Sequence, residues 1–293
     1  MAPTSRCPSQ GHLDRSTEGR ITYIQAPRWI GHQVAVTAHE RLAELLSRPP
    51  SLQTRGLMLV GPYANGKTMM IAERFAVGHL RTAEQQRVWV VQPREGAGLA
   101  HFYKSILQAL RAPTGSSRNV GRKAEQVDHL LDKLKPRMLI FDEFHNTLRG
   151  RARDVEAVLA FLRRIGRQFD ISPVVIGEVT VYDVVNQTAE MATRFDLHAV
   201  PRWQYGEEFL ALLDSLESAL PLVRASDLSD EPLARRIFQL SEGLIGEIVA
   251  IISAAASAAV RSGEERITKS GIEALRYVPV SKRRRATVRE DLL

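Results

Sequence analysis

Cys7 is the only cysteine among 293 residues. That excludes an internal disulfide and fits a reducing compartment. No uninterrupted apolar run reaches the ~18 residues of a membrane-spanning helix. The most apolar stretch, Ile248–Val260, is short and Ala-rich, and a buried helix is expected there. The opening Met1-Ala2-Pro3-Thr4-Ser5-Arg6 lacks the apolar core of a secretory signal. A cytoplasmic location without a membrane partner is therefore expected. There is no internal repeat and no extended low-complexity segment. Hydrophobic residues make up 44% and charged residues 25%. That balance is ordinary for a globular chain whose length suits one large domain or two modest ones.

Against this plain background one octapeptide stands out. Residues 61–68 read Gly-Pro-Tyr-Ala-Asn-Gly-Lys-Thr, the spacing of a phosphate-binding loop. The apolar run Gly56-Leu57-Met58-Leu59-Val60 precedes it and Met69-Met70-Ile71-Ala72-Glu73-Arg74-Phe75 follows it. That is the strand–loop–helix setting the motif requires. Its glycines let backbone N–H groups turn inward around phosphate oxygens and deliver them to a helix N-terminus. The candidate nucleotide-binding residues are Gly61, Pro62, Tyr63, Ala64, Asn65, Gly66, Lys67, Thr68 and Met69. Lys67 is expected to reach the β and γ phosphates, and Thr68 to ligate Mg²⁺. Tyr63 is expected to face solvent or an adjacent subunit.

A second motif, Met138-Leu139-Ile140-Phe141-Asp142-Glu143, is an apolar strand ending in two acids. Asp142 is the candidate for the Mg²⁺ shell and the nucleotide site. Glu143 is the candidate general base that polarises the attacking water. A kinase, whose nucleophile is a substrate hydroxyl, has much less need of that second acid, so the pair favours NTP hydrolysis. His145 just after it is expected to be structural. Further on, Val174-Val175-Ile176-Gly177-Glu178-Val179-Thr180 ends another strand. A polar residue there is placed to contact the terminal phosphate. Glu178 and Thr180 both qualify, and Thr180 is preferred because a carboxylate facing a phosphate is repelled. Arg194 lies just before the last strand candidate. Supplied to a neighbouring subunit, it would neutralise transition-state charge; the competing expectation is a surface pair with Glu190 one helical turn away.

Strand candidates at 56–60, 87–92, 138–142, 172–177 and 196–200 alternate with helical patterns at 67–80, 99–111, 121–135 and 153–169. This predicts an α/β fold with a parallel five-stranded sheet flanked by helices. After Pro201-Arg202-Trp203 every pattern is helical: 206–219, 231–241, 244–262 and 268–276, the last capped by Thr268. The expected organisation is a flexible N-terminal arm (1–20), a linker and helix (21–54) starting at a Thr37–Glu40 capping box, a nucleotide-binding domain (55–203), a small helical domain (204–278) and a basic tail (279–293).

Net charge is +7, and its distribution says more than the total. Arg111–Lys123 holds four basic residues and no acid, Arg149, Arg151 and Arg153 form a second group, and Lys282-Arg283-Arg284-Arg285 a third. Such runs are as often solvated faces as binding sites. Three of them beside a nucleotide engine point to a polyanion. Arg118, Arg122, Lys123, Arg149, Arg151 and Arg153 are the candidate contacts to double-stranded DNA, made through the backbone with weak sequence preference. The tail group fits DNA, a partner or nothing equally well.

The motifs, in this order and with a helical domain behind them, resemble the AAA+ ATPases. Four stretches narrow the likeness: Arg28-Trp29-Ile30-Gly31-His32, Phe141-Asp142-Glu143-Phe144-His145-Asn146, Arg194-Phe195 ahead of Val200-Pro201-Arg202-Trp203, and Ser241-Glu242-Gly243-Leu244-Ile245-Gly246-Glu247-Ile248. Over about residues 20–275 they resemble the TniB family, relatives of TnsC and MuB. The resemblance implies an AAA+ fold with a helical lid and the cofactors ATP and Mg²⁺. It implies a homo-oligomer, ring or filament, that assembles on target DNA in bacterial transposition and stimulates a DDE transposase. A TniQ-type targeting protein is a further implied partner, and hydrolysis resets the assembly. One departure stands out: Glu247 occupies a place where many AAA+ proteins carry a γ-phosphate-sensing arginine, which implies a slow, switch-like ATPase. The alternatives are another DNA-associated AAA+ protein (a replication initiator or helicase loader), a small-molecule kinase, and a scaffold that binds nucleotide without hydrolysing it. ATP over GTP comes from the resemblance, with weak support from the lack of an Asn-Lys-x-Asp stretch.

Overall fold

The computed structural model describes residues 13–284 except 28, 52–53, 83–84, 95–97 and 116–118. These residues fall into two compact units. One comprises residues 33–201; the other joins the N-terminal residues up to His32 with those from Arg202 onward.

The first unit is built on β1 (Gly56–Val60), β2 (Val88–Val91), β3 (Met138–Phe141), β4 (Ser172–Gly177) and β5 (Phe195–Ala199). They form one sheet in the order β2-β3-β4-β1-β5, every pairing parallel. Parallel strands covered on both faces need apolar residues at successive positions rather than alternation. The inner strands have them: Leu57, Met58 and Leu59 of β1 and all four residues of β3 are at most 1% exposed. Edge strand β5, with Asp196 and Leu197 exposed, does not.

The helices of this unit are α2 (Gln33–Ser47), a π-helical segment (Met69–Ala76), α3 (Leu99–Ala109), α4 (Val120–Leu134), α5 (His145–Leu148), α6 (Ala152–Phe169), α7 (Val179–Val185) and α8 (Ala189–Ala192). Aromatic side chains knit one covering layer to the sheet. Phe102 stacks on Phe141 at 5.7 Å and meets Phe161 edge-on at 5.4 Å. α2 starts four residues before the expected Thr37 cap. Thr37 lies inside the helix, its hydroxyl accepting from Gln33 Nε2 at 3.3 Å.

The second unit is helical: α1 (Thr17–Gln25), α9 (Glu207–Ser218), α10 (Glu231–Ser241), α11 (Ile245–Ser262), α12 (Lys269–Ala274) and α13 (Val280–Arg284). α11 is long and apolar enough to cross a membrane by length and composition. Here its Ile248, Ile251, Ile252 and Ala256 are at most 1% exposed in a core shared with Phe209, Ile237 and Ile272. Thr268 caps α12 as expected, accepting from Gly271 N–H.

The boundaries differ from those expected. Residues 17–20 are the first turn of α1 rather than part of an arm. Ser16 caps that helix, and Ile21 and Ile24 enter the helical core. Arg20 is buried: its guanidinium donates to the Pro221 carbonyl and pairs with Glu265. The expected 21–54 segment is thus divided, α1 belonging with the helices and α2 with the sheet. The helical unit also continues past residue 279 into α13. These assignments rest on contacts across more than 200 residues, which no local pattern displays.

Candidate nucleotide site

The site forms where β1, β3 and β4 end, the crevice at the carboxyl ends of a parallel sheet. Leaving β1, the chain turns so tightly that a Cβ on Gly61 would sit 2.2 Å from the Val200 carbonyl oxygen. Ala64 (φ 56°) and Gly66 (φ 77°) take left-handed conformations. Asn65 is buried and donates to the carbonyls of Val200 and Pro201 at 2.8 and 2.7 Å. Its amide holds the loop in shape. Tyr63 is 70% exposed, as expected.

Lys67 is buried, with Nζ bonded to the Gly61 and Pro62 carbonyls at 2.9 and 2.6 Å. Burial pulls its pKa down; the carboxylates of Glu143, Glu178 and Asp142 push it back up. The helix that follows is π-bonded from Met69 to Ala76, a rare, widened form frequent at functional sites.

Asp142 is fully buried. Burial raises its carboxyl pKa, opposed by the Thr68 hydroxyl, the Glu143 N–H, the Lys67 charge and the Gln92 side chain. Oδ1 accepts from Glu143 N–H at 2.9 Å, whereas Oδ2 is buried with no hydrogen-bond partner among the described residues. A buried, unpartnered carboxylate oxygen beside a threonine hydroxyl is a donor set suited to a hard divalent cation. The residues present therefore fit Mg²⁺. Glu143 follows in a left-handed conformation (φ 51°). It lines, with Thr68, Gln92, Arg94 and Asn146, a cleft of about 1040 Å³.

The strand end after β4 contributes Glu178, not Thr180. β4 stops at Gly177, Glu178 takes the cap position, and α7 begins at once. Thr180 therefore falls on an exposed helical face, while the Glu178 charge reaches Lys67. His145 is buried with Nε2 3.3 Å from Glu143 Oε2 and 4.0 Å from Glu178 Oε1. His145, expected to be structural, and Gln92, not among the expected site residues, both lie here. No motif signals either, because their roles depend on three strand ends meeting.

Arg194 pairs within its own chain with Glu190 at 3.3 Å. Arg163 and Arg167 approach the same carboxylate at 3.7 Å each. The Arg194 Nε is buried and has no partner among the described residues.

Of the candidate DNA contacts, Arg122, Arg149, Arg151 and Arg153 are exposed. Lys123 is not: it is 6% exposed, and its Nζ bonds to the Gly115 carbonyl at 3.4 Å. One face of α4 turns Lys123 inward with Val127 and Leu131 and takes it out of the set. Arg118 lies outside the described residues.

Known structures share this architecture. The Aeropyrum pernix ORC2 protein, solved as ADPNP–ADP complexes, matches 87% of this chain and 71% of its own at 15% identity and TM-score 0.62. The Aeropyrum pernix ORC1 protein in complex with DNA matches 88% and 68% at 19% identity and TM-score 0.62. A Walker-type ATPase of Pyrococcus abyssi matches 82% and 71% at 14% identity and TM-score 0.54. At these identities the likeness is one of fold. No curated protein matches in sequence. The family model for the bacterial TniB protein matches residues 20–205, more than half of the chain and all of the site above. The chain therefore belongs to the TniB family and is an AAA+ ATPase.

Proposed function

We propose that the protein is an ATP-dependent regulator of DNA transposition. It assembles as an oligomer on double-stranded DNA with weak sequence preference, recruits and stimulates a DDE transposase, and disassembles on hydrolysis. A TniQ-type targeting protein is the further expected partner. The observation that carries the nucleotide part is the meeting of Lys67, Asp142, Glu143 and Glu178 at the ends of three parallel strands. The DNA and transposition part rests on the family and on the exposed Arg122, Arg149, Arg151 and Arg153.

In the chemistry, Lys67 leaves the Gly61 and Pro62 carbonyls and turns to the β and γ phosphates. The loop N–H groups hold the same phosphates. Thr68 and Asp142 would hold Mg²⁺, which supplies charge neutralisation to the phosphates when bound. Glu143 takes a proton from water as the water oxygen bonds to the terminal phosphorus. The bond to the bridging oxygen breaks and its electron pair leaves on ADP. Arg194 would turn its terminal nitrogens to a neighbouring copy's phosphate once Glu190 releases it.

The fold likeness to origin-recognition proteins favours a replication initiator as the second reading. It is a likeness of fold only, whereas the family match is one of sequence. The test is electron microscopy and co-sedimentation with duplex DNA under ATP, ADP and no nucleotide, using wild type, K67A and E143Q. Assembly on DNA only with ATP, lost in K67A and prolonged in E143Q, is the expected result. DNA binding that ignores nucleotide overturns the reading.

A further inference from the structure

His145 comes from α5, but its position is set by β4. The ring packs on Gly177, where a Cβ would lie 3.5 Å from Nδ1 and 3.4 Å from the His145 backbone nitrogen, and 2.5 Å from Val181 Cγ2. The ring lies at van der Waals distance from this strand end, and it is the Val181 side chain that a Cβ at Gly177 would displace. Nδ1 is buried and has no partner among the described residues. Nε2 is the nitrogen that faces outward, 3.3 Å from Glu143 Oε2 and 4.0 Å from Glu178 Oε1. The carboxylates are over a third exposed while the imidazole is 9% exposed beneath them. Ionised carboxylates only accept. The proton of a neutral imidazole must therefore sit on Nε2, leaving a lone pair rather than an orphaned N–H at buried Nδ1.

We propose that His145 is a positioning residue for ATP hydrolysis: its Nε2–H holds the Glu143 carboxylate in the orientation from which it activates water, with Glu178 bounding the other side of the ring. The proposal rests on the reading of Glu143 as the general base. A base on a long side chain, rooted at a left-handed residue and projecting into an open cleft, has many rotamers of which few meet the water. A third group that orients the base removes that freedom. His145 is suited to this because its ring is buried against the end of β4 at Gly177.

The test is steady-state ATP turnover in the presence of duplex DNA for wild type, H145A, H145Q, H145N and E143Q. Binding of a fluorescent ATP analogue and thermal melting are measured alongside. Glutamine reproduces the Nε2 donor; asparagine is too short to reach. The expected result is a kcat lower by about 10–100-fold in H145A and H145N, by analogy with the loss when a partner that orients a metal-binding side chain is removed. KM and analogue affinity stay within about twofold, and H145Q recovers most of the rate. H145A turning over at the wild-type rate, or H145Q as impaired as H145N, overturns the proposal. So does a loss of analogue affinity and melting temperature that accounts for the lost rate. If H145A does not fold, the comparison of H145Q with H145N decides. E143Q at the wild-type rate overturns the general-base reading itself, a separate result from the histidine variants.

Discussion

Glu247 and Arg283 are joined across the helical unit. The carboxylate accepts from both terminal nitrogens of the guanidinium, at 2.7 and 3.3 Å, and from the Tyr277 hydroxyl at 2.7 Å. The guanidinium also lies 5.0 Å over the Tyr277 ring. Burial and the Glu247 hydrogen bond raise the Tyr277 pKa. Two oddities of the sequence meet here: an acid where many related ATPases carry arginine, and a basic run near the C-terminus. The acid secures the segment that carries the run, and nearby Glu242 accepts from Ser281 N–H at 3.1 Å.

Replacing Glu247 with alanine should therefore loosen residues 277–284. Arg283 is 45% exposed, so the pair is screened and its loss should cost only about 0.5–1 kcal/mol of stability. Local opening should be more sensitive than global melting. Trypsin cleavage at Lys282 and Arg283 is expected to speed up in E247A, and an unchanged cleavage rate would contradict the contact.

Asn65 is expected to matter as a brace. Its two bonds to the Val200 and Pro201 carbonyls tie the phosphate loop to the end of β5. N65A leaves both acceptors without it and should lower stability by about 1–3 kcal/mol. It should also weaken nucleotide binding, because the left-handed turn at Ala64 is no longer held. Calorimetric melting and titration with a fluorescent ADP analogue measure the two effects. Weaker melting with unchanged affinity would separate the brace from the site.

DNA affinity should depend steeply on salt. With Lys123 buried, the four exposed arginines at 122, 149, 151 and 153 remain. If each neutralises a phosphate, log affinity falls against log salt with a slope of about −4 per protomer. Each alanine substitution should flatten it by about 1. A salt-independent affinity measured by fluorescence anisotropy would remove these residues from the interface.

Asp170 should give a pH-dependent contribution to stability. It ends α6 in a left-handed conformation and accepts from Arg48 at 2.7 Å and from Ser51 N–H at 3.1 Å, with Arg137 paired to its other oxygen. Burial alone would raise its pKa; the Arg48 and Ser51 hydrogen bonds and the Arg48 and Arg137 charges outweigh that and lower it. A carboxyl whose folded pKa lies below the unfolded value of ~3.9 contributes fully above that pH. The contribution is lost as pH falls through the folded value. The melting difference between wild type and D170N should hold from neutral pH down to about 4 and shrink below it.

The parts of this protein legible in its sequence are those whose chemistry is local. Residues 61–68 and 138–143 carry their roles within contiguous segments, because a phosphate loop needs its glycines and lysine at fixed spacing and a buried parallel strand needs successive apolar residues. The five strands and most helices follow for the same reason. What only the tertiary structure decided involves partners far apart in the chain. It set Glu178 rather than Thr180 at the site, because one residue of strand length determines which side chain the turn presents. It buried Lys123, seated His145 on Gly177, placed α1 with helices 200 residues later through Arg20, Pro221 and Glu265, and matched Glu247 with Arg283. Composition and periodicity describe which face of an element is apolar; which side chains meet depends on how the faces are stacked, and that depends on the packing of the whole chain.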